Sequence, residues 1–181
     1  MIDRIHLYTK IHKAQRAWLM RATVAAGRLD GDDAVAAEIV ADDVRRLVRH
    51  LHEHAEHEER FIHPLLREAA PEFASRLDGQ HIALDAALAE LTVAADSLDG
   101  TRIYRALSGF VVLYFPHLEI EEQEAMPAIW RYCEDGALMD RILRPFIASR
   151  TPEDIADDLR LEIGSVSPRE ERQLIGALLK S

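Results

Sequence analysis

Two stretches decide the fold: His54-Ala55-Glu56-His57-Glu58-Glu59-Arg60-Phe61-Ile62-His63-Pro64 and His117-Leu118-Glu119-Ile120-Glu121-Glu122-Gln123-Glu124-Ala125-Met126-Pro127. Laid side by side, they carry His, Glu, Glu and Pro at the same offsets of 0, 4, 5 and 10. Residues four apart share one face of an α-helix, so His54 projects with Glu58 and His117 with Glu121. Each pair lies in line with apolar positions. The first stripe is Leu47, Leu51, His54, Glu58, Phe61 and Leu65; the second is Leu107, Phe110, Tyr114, His117, Glu121 and Ala125 or Ala128. Alternating three- and four-residue spacing marks the inward face of a bundled helix. Both His–Glu pairs are therefore expected to face a core.

Outward from these stretches, each copy is preceded by a helix with an inward histidine. Tyr8, His12, Gln15 and Leu19 form one stripe; Leu77, His81, Leu84, Leu88, Leu91, Ala95 and Leu98 form the other. The chain thus reads His…His-x-x-x-Glu twice, an internal duplication of a helix pair. The expected helices run from about Ile2 to Gly27, from a cap at Asp30 or Asp32 to about His63, from Pro71 to Leu98, and from Thr101 to Met126. Helices of about 25 residues are ~38 Å long. Joined by short loops, four of them make an all-α, antiparallel up-down-up-down bundle. Pro116, inside the fourth, removes a backbone hydrogen bond and is expected to kink it. Three shorter helices come after the bundle, over Gly136 to Ile147, from Thr151-Pro152, and from Ser167-Pro168, where helix-start signals recur. The expected division is a metal-binding bundle over residues 1–131. Residues 132–181 then form a C-terminal helical extension that packs on the bundle or mediates association.

Composition narrows the function. The net charge of −10 argues against nucleic acid, because phosphate binding needs clustered Lys and Arg. A single cysteine, Cys133, excludes a disulfide framework and a Cys-based zinc site. The start Met1-Ile2-Asp3-Arg4-Ile5-His6 does not resemble a signal peptide, and the apolar run from Phe110 to Phe115 is too short for a bilayer. A cytoplasmic protein without a membrane partner is expected, as monomer or homodimer. More telling are the histidines: of nine, six fall between His50 and His81.

Carboxylates in a bundle core cost several kcal/mol each unless paired or coordinated. Two of them converging with four histidines call for cations. A metal pair binds neutral imidazole and carboxylate directly, and mixed N/O donors suit iron, and also manganese or zinc. The expected ligands are His12, His54, Glu58, His81, His117 and Glu121. Asp85, Glu122, His57, Tyr8 and Tyr114 are candidates for additional ligands or outer partners, and Tyr104 is a further polar aromatic for the pocket. His50, His52, His6 and His63 are read as surface or outer residues. The Glu-x-x-His spacing of ferritin-type bundles does not occur.

The pattern from His12 to about Pro127 resembles the hemerythrin-like, HHE cation-binding family. The resemblance implies a non-heme di-iron centre, oxo/hydroxo- or carboxylate-bridged. His12, His54, His81 and His117 would be its nitrogen ligands, and Glu58 and Glu121 its bridging carboxylates. Two departures separate the chain from the oxygen-carrying hemerythrins. Their third helix carries His-x-x-x-His, where this chain has His81-x-x-x-Asp85; and their fourth places the carboxylate five residues after His, where this chain offers Glu121 at four and Glu122 at five. Glu121 is preferred because it keeps the face. With one histidine fewer, simple oxygen carriage is disfavoured.

The expected function is a di-iron protein that binds or reacts with oxygen, nitric oxide or peroxide, with catalase- or peroxidase-like turnover as one form. The alternatives are an iron- or redox-sensing module signalling through the C-terminal helices, or an iron delivery and repair protein.

Overall fold

The computed structural model describes residues 4–30 and 33–178. Ile2 and Asp32, named above as helix boundaries, and the first three residues of the chain's start lie outside the described residues. The helices are α1 (Thr9–Gly27), α2 (Ala34–His57), α3 (His63–Ala69), α4 (Pro71–Asp96), α5 (Gly100–Ile120), α6 (Met126–Tyr132), α7 (Asp135–Leu138), α8 (Arg144–Ala148), α9 (Pro152–Glu162) and α10 (Pro168–Leu178). No strand occurs among the described residues, and among them no helix is long and apolar enough to cross a membrane.

Local chemistry sets most boundaries. Asp33, not Asp30, caps α2 by accepting from the Ala36 N–H at 2.9 Å. Asp99 caps α5 by accepting from Thr101 and Arg102, and Thr151 with Asp154 forms a capping box on α9. α1 starts later than the apolar pattern suggests. Its preceding segment is drawn across the molecule, where Arg4 donates to Asp135, to the Trp130 carbonyl and to the Cys133 carbonyl. The side chain of His6 then accepts from the Thr9 N–H at the helix start.

Three single turns of π-helix interrupt the α-helical path, at Glu58–Ile62, Glu121–Ala125 and Met139–Leu143. Each is closed by an N–H reaching back five residues: His63 to Glu58, Met126 to Glu121 and Arg144 to Met139. A proline comes directly after each closing residue: Pro64, Pro127 and Pro145. Proline has no N–H and its ring crowds the preceding turn; a wider turn relieves both. The extra residue also rotates the next helical turn. Beyond Glu58 the buried position is Ile62, at 9% exposure, where the regular stripe expected Phe61, which is only half-buried. Pro116 sits within α5 without ending it.

α1 neighbours α2 and α5, and α4 neighbours the same two, which closes a four-helix ring. Adjacent helices run antiparallel. The start of α1 meets the end of α5 through Gln15 and Tyr114, while its end meets the start of α5, where Gly27 faces Tyr104. Arg45 of α2 pairs with Asp96 at the end of α4, and Arg67 of α3, beyond the end of α2, pairs with Asp78 near the start of α4. Two apolar clusters fill the interior. One, including Leu19, Leu47, Leu91 and Phe110, occupies the bundle shaft. The other, including Tyr8, Leu65, Leu77 and Ile129, fills the end where α3 and α6 pack. Between them lies a polar layer.

Candidate metal centre

That layer holds His12, Gln15, Glu58, His81, His117 and Glu121, all buried; His54, with an 11% exposed side chain, completes it. Each bundle helix contributes. α1 supplies His12, α2 His54, α4 His81 and α5 His117, and the two glutamates open the first two π turns.

The donor atoms fall into two sets. In one, His54 Nε2 is 3.0 Å from Glu58 Oε1, and His12 Nε2 is 3.7 Å from the same oxygen and 3.5 Å from Glu121 Oε2. In the other, His81 Nε2 is 3.7 Å from Glu58 Oε2 and His117 Nε2 is 3.4 Å from Glu121 Oε1. Each carboxylate therefore turns one oxygen to each set. One ligand atom apiece from Glu58, His81, His117 and Glu121 lies within 4.8 Å of all the others, as does one apiece from His12, His54 and Glu58. The inward atoms His12 Nε2, His54 Nε2, Glu58 Oε1 and both Glu121 oxygens are buried without a hydrogen-bond partner. Burying such atoms unsatisfied is costly. Cations at the foci of the two sets would satisfy them, so the donor set fits metal ions.

The outward ring nitrogens show the same logic. His12 Nδ1 lies 3.0 Å from Glu122 Oε1, and His81 Nδ1 3.2 Å from Glu59 Oε1. His117 Nδ1 lies 2.9 Å from Gln80 Oε1. With oxygen acceptors there, Nδ1 carries the proton and donates, which leaves Nε2 as a lone pair aimed inward. The second glutamate of each repeat thus holds the histidine of the opposite repeat. Arg16 donates to Glu122 at 2.7 Å and helps hold its carboxyl at about 2; burial pushes the other way, and the hydrogen bonds from His12 and Arg16 outweigh it.

Electrostatics separates the two inner carboxylates. Burial pushes Glu58 up, but His54 and His12 more than offset it and hold it well below the usual range. Burial, then the negative charge of Glu58, drives Glu121 well above the usual range. Burial lowers His117 to about 3. Without cations the site thus sets an ionised Glu58 beside a protonated Glu121 and a neutral His117. Burial, then the charges of Glu121 and Glu58, also pushes the Tyr8 phenol far up. The Tyr8 hydroxyl is buried without a partner, and its ring centre is 5.4 Å from that of His12. Tyr114 stacks on His117 at 6.0 Å and donates to Gln15 Oε1 at 3.0 Å.

The other sequence candidates lie outside the donor cluster. Asp85 is exposed, with its carboxylate 3.6 Å from His52 at the surface, and it borders the site without joining the donors. His57 packs against Phe146 and Arg150. Tyr104 lies at the far end of the bundle beside Gly27 and is 44% exposed, so it does not line this site. His63, read as a surface or outer residue, is wholly buried: its ring lies 5.0 Å from that of His81 and its Nδ1 3.2 Å from Asp78. The signal for it was Pro64, whose wide turn rotates His63 inward as the equivalent Met126 is rotated.

Behind His81 and His117 is a cavity of about 10 Å³, also lined by Leu88, Phe110 and Tyr114. A cavity of about that size is needed to hold one water-sized molecule.

Comparison with known proteins agrees with the geometry. Residues 3–129 match the model of the hemerythrin HHE cation-binding domain, a span that includes all six inward-facing ligand candidates. No match is found among curated proteins or among solved structures. The chain belongs to the hemerythrin HHE cation-binding domain family.

Proposed function

We propose that the chain is a non-heme di-iron protein that binds or reacts with a small molecule: oxygen, nitric oxide or peroxide. The observation that carries this reading is the division of six buried donors into two sets joined by both carboxylates. Iron bound there would supply redox and ligand-binding chemistry, and two histidines with two carboxylate oxygens per ion leave coordination positions for a guest. The donors alone also accept manganese or zinc. The family assignment favours iron.

The protein's own groups have defined tasks. Glu122, Glu59 and Gln80 fix three imidazoles in one tautomer. Leu88 and Phe110 exclude bulk water from the small cavity. Tyr8 stays protonated, so its hydroxyl is a hydrogen-bond donor available beside His12. An acidic chain with a single cysteine fits a reducing, cytoplasmic setting, which is part of the proposal.

A second reading is a redox sensor. Its support is that Arg150, in the C-terminal extension, contacts His57 one helical turn from His54. Absorption spectra of the iron-loaded chain with peroxide, nitric oxide and oxygen, alongside peroxide turnover, separate the two. Ligand-dependent bands with turnover are expected. Spectra indifferent to all three would overturn the small-molecule reading.

A further inference from the structure

The duplicated centre is not symmetric in its surroundings. His117 is sealed: Gln80 holds its Nδ1 and Tyr114 covers its face. The residue equivalent to Gln80, one before the α1 histidine, is Ile11, and there the site opens. His54 and Glu58 line a cavity of about 1170 Å³, roofed by residues of α8, α9 and α10. A diatomic or peroxide needs little more room than one water, whereas this volume exceeds the ~300–1,000 Å³ typical of small-molecule sites.

Its walls have two characters. Part of the lining is apolar and partly aromatic, with Phe61, Phe146, Ile142, Leu143 and Leu174; Phe61 and Phe146 meet edge to face at 5.7 Å. Polar groups border this wall directly, the Arg150 guanidinium lying 5.8 Å from the Phe146 ring centre. Arg150, with a 10% exposed side chain, contacts His57 and Asp158, while its Nε is buried without a partner. Neutral imidazoles and two carboxylates cannot neutralise two divalent ions, so an occupied centre is net positive beside this guanidinium.

We infer that the C-terminal extension builds a binding site for an organic carboxylate with an extended apolar body, its head held by Arg150 beside the His54 edge of the metal centre and its body along Phe61, Phe146 and Leu143. This rests on the proposed metal pair only for part of the head-group attraction; the cavity and Arg150 stand without it.

The probes are decanoate and acetate, titrated into the full chain with and without iron. Binding is read from the fluorescence of Trp130, which lines the cavity, and by calorimetry. Acetate can satisfy the head-group site but not the walls. Burial of the longer chain predicts decanoate binding at least about a hundredfold tighter than acetate. Leu143→Trp, which fills the apolar part, and Arg150→Gln, which removes the head-group partner, are each expected to weaken decanoate about tenfold or more with iron content unchanged. Equal affinity for the two probes, or decanoate binding indifferent to both variants, overturns the inference. A chain that holds no iron yet binds decanoate with this pattern overturns the di-iron reading alone.

Discussion

His12 and Glu122 stand 110 residues apart in the chain, and Glu122 Oε1 lies 3.0 Å from His12 Nδ1. The repeat-related pair, His81 and Glu59, lies at 3.2 Å. Each half of the duplication thus orients a core-facing histidine of the other. Glu122 is the more sheltered, with 16% of its side chain exposed against 51% for Glu59. Glu122→Gln is expected to weaken metal affinity by roughly 10–100-fold, and Glu59→Gln by less. Competition with a chelator measures both; equal or absent effects would show that these contacts do not tune the ligands.

Glu121 is raised by burial and by Glu58, so in the metal-free chain it strains the core. Glu121→Gln replaces a buried acid by a neutral isostere. It should stabilise the metal-free chain by about 1–2 kcal/mol, roughly 3–6 °C in a chain of this size, and abolish metal-dependent stabilisation. A metal-free variant that melts below the parent would contradict this assignment of strain.

The glutamates and histidines of the centre, and the four-helix frame, were legible because their spacing follows the helical repeat. The π turns were not, because the hydrophobic pattern assumes one residue per 100° of rotation. Their trace was the proline after each closing residue: Pro64, Pro127 and Pro145. Missing them misplaced Phe61 and left His63 outside the core. Asp85 shows the opposite limit. Helical spacing put it one turn from His81, but that turn points it to His52 and solvent. The cavity was illegible because it depends on how the segment around Phe146 and Arg150 docks on α2 and how α9 and α10 dock on α1, which local pattern does not encode.

His50 has its imidazole pushed down to about 3, first by burial and then by the charges of His54, Arg150 and His57. Its unfolded value is about 6.5, so between these pH values the unfolded chain takes a proton that the folded chain refuses. Its contribution to stability is present above about 6.5 and is lost as pH falls. Comparing metal-free His50→Gln with the parent by thermal melts at pH 7 and pH 5, the parent should lose about 2 kcal/mol more. Parallel losses would show that His50 is protonated in the fold.

Glu162 acts in the opposite sense. Burial raises it to about 7, with Lys10 opposing and Asp158 assisting. The folded chain retains a proton that the unfolded chain releases, so stability falls as pH rises from about 4.5 to 7. Glu162→Gln should raise the melting temperature at pH 7.5 by the equivalent of about 1–3 kcal/mol, with the gain shrinking toward pH 5. A gain independent of pH would assign the effect to packing instead.

The central claim is that six buried donors hold two metal ions. Its most direct test is the metal content of the iron-loaded, desalted chain, measured beside His54→Ala and Glu121→Ala. The account predicts about two irons per chain and loss of one or both in each variant, because His54 serves one set and Glu121 serves both. One iron or none in the parent, or variants that retain the full complement, would contradict it.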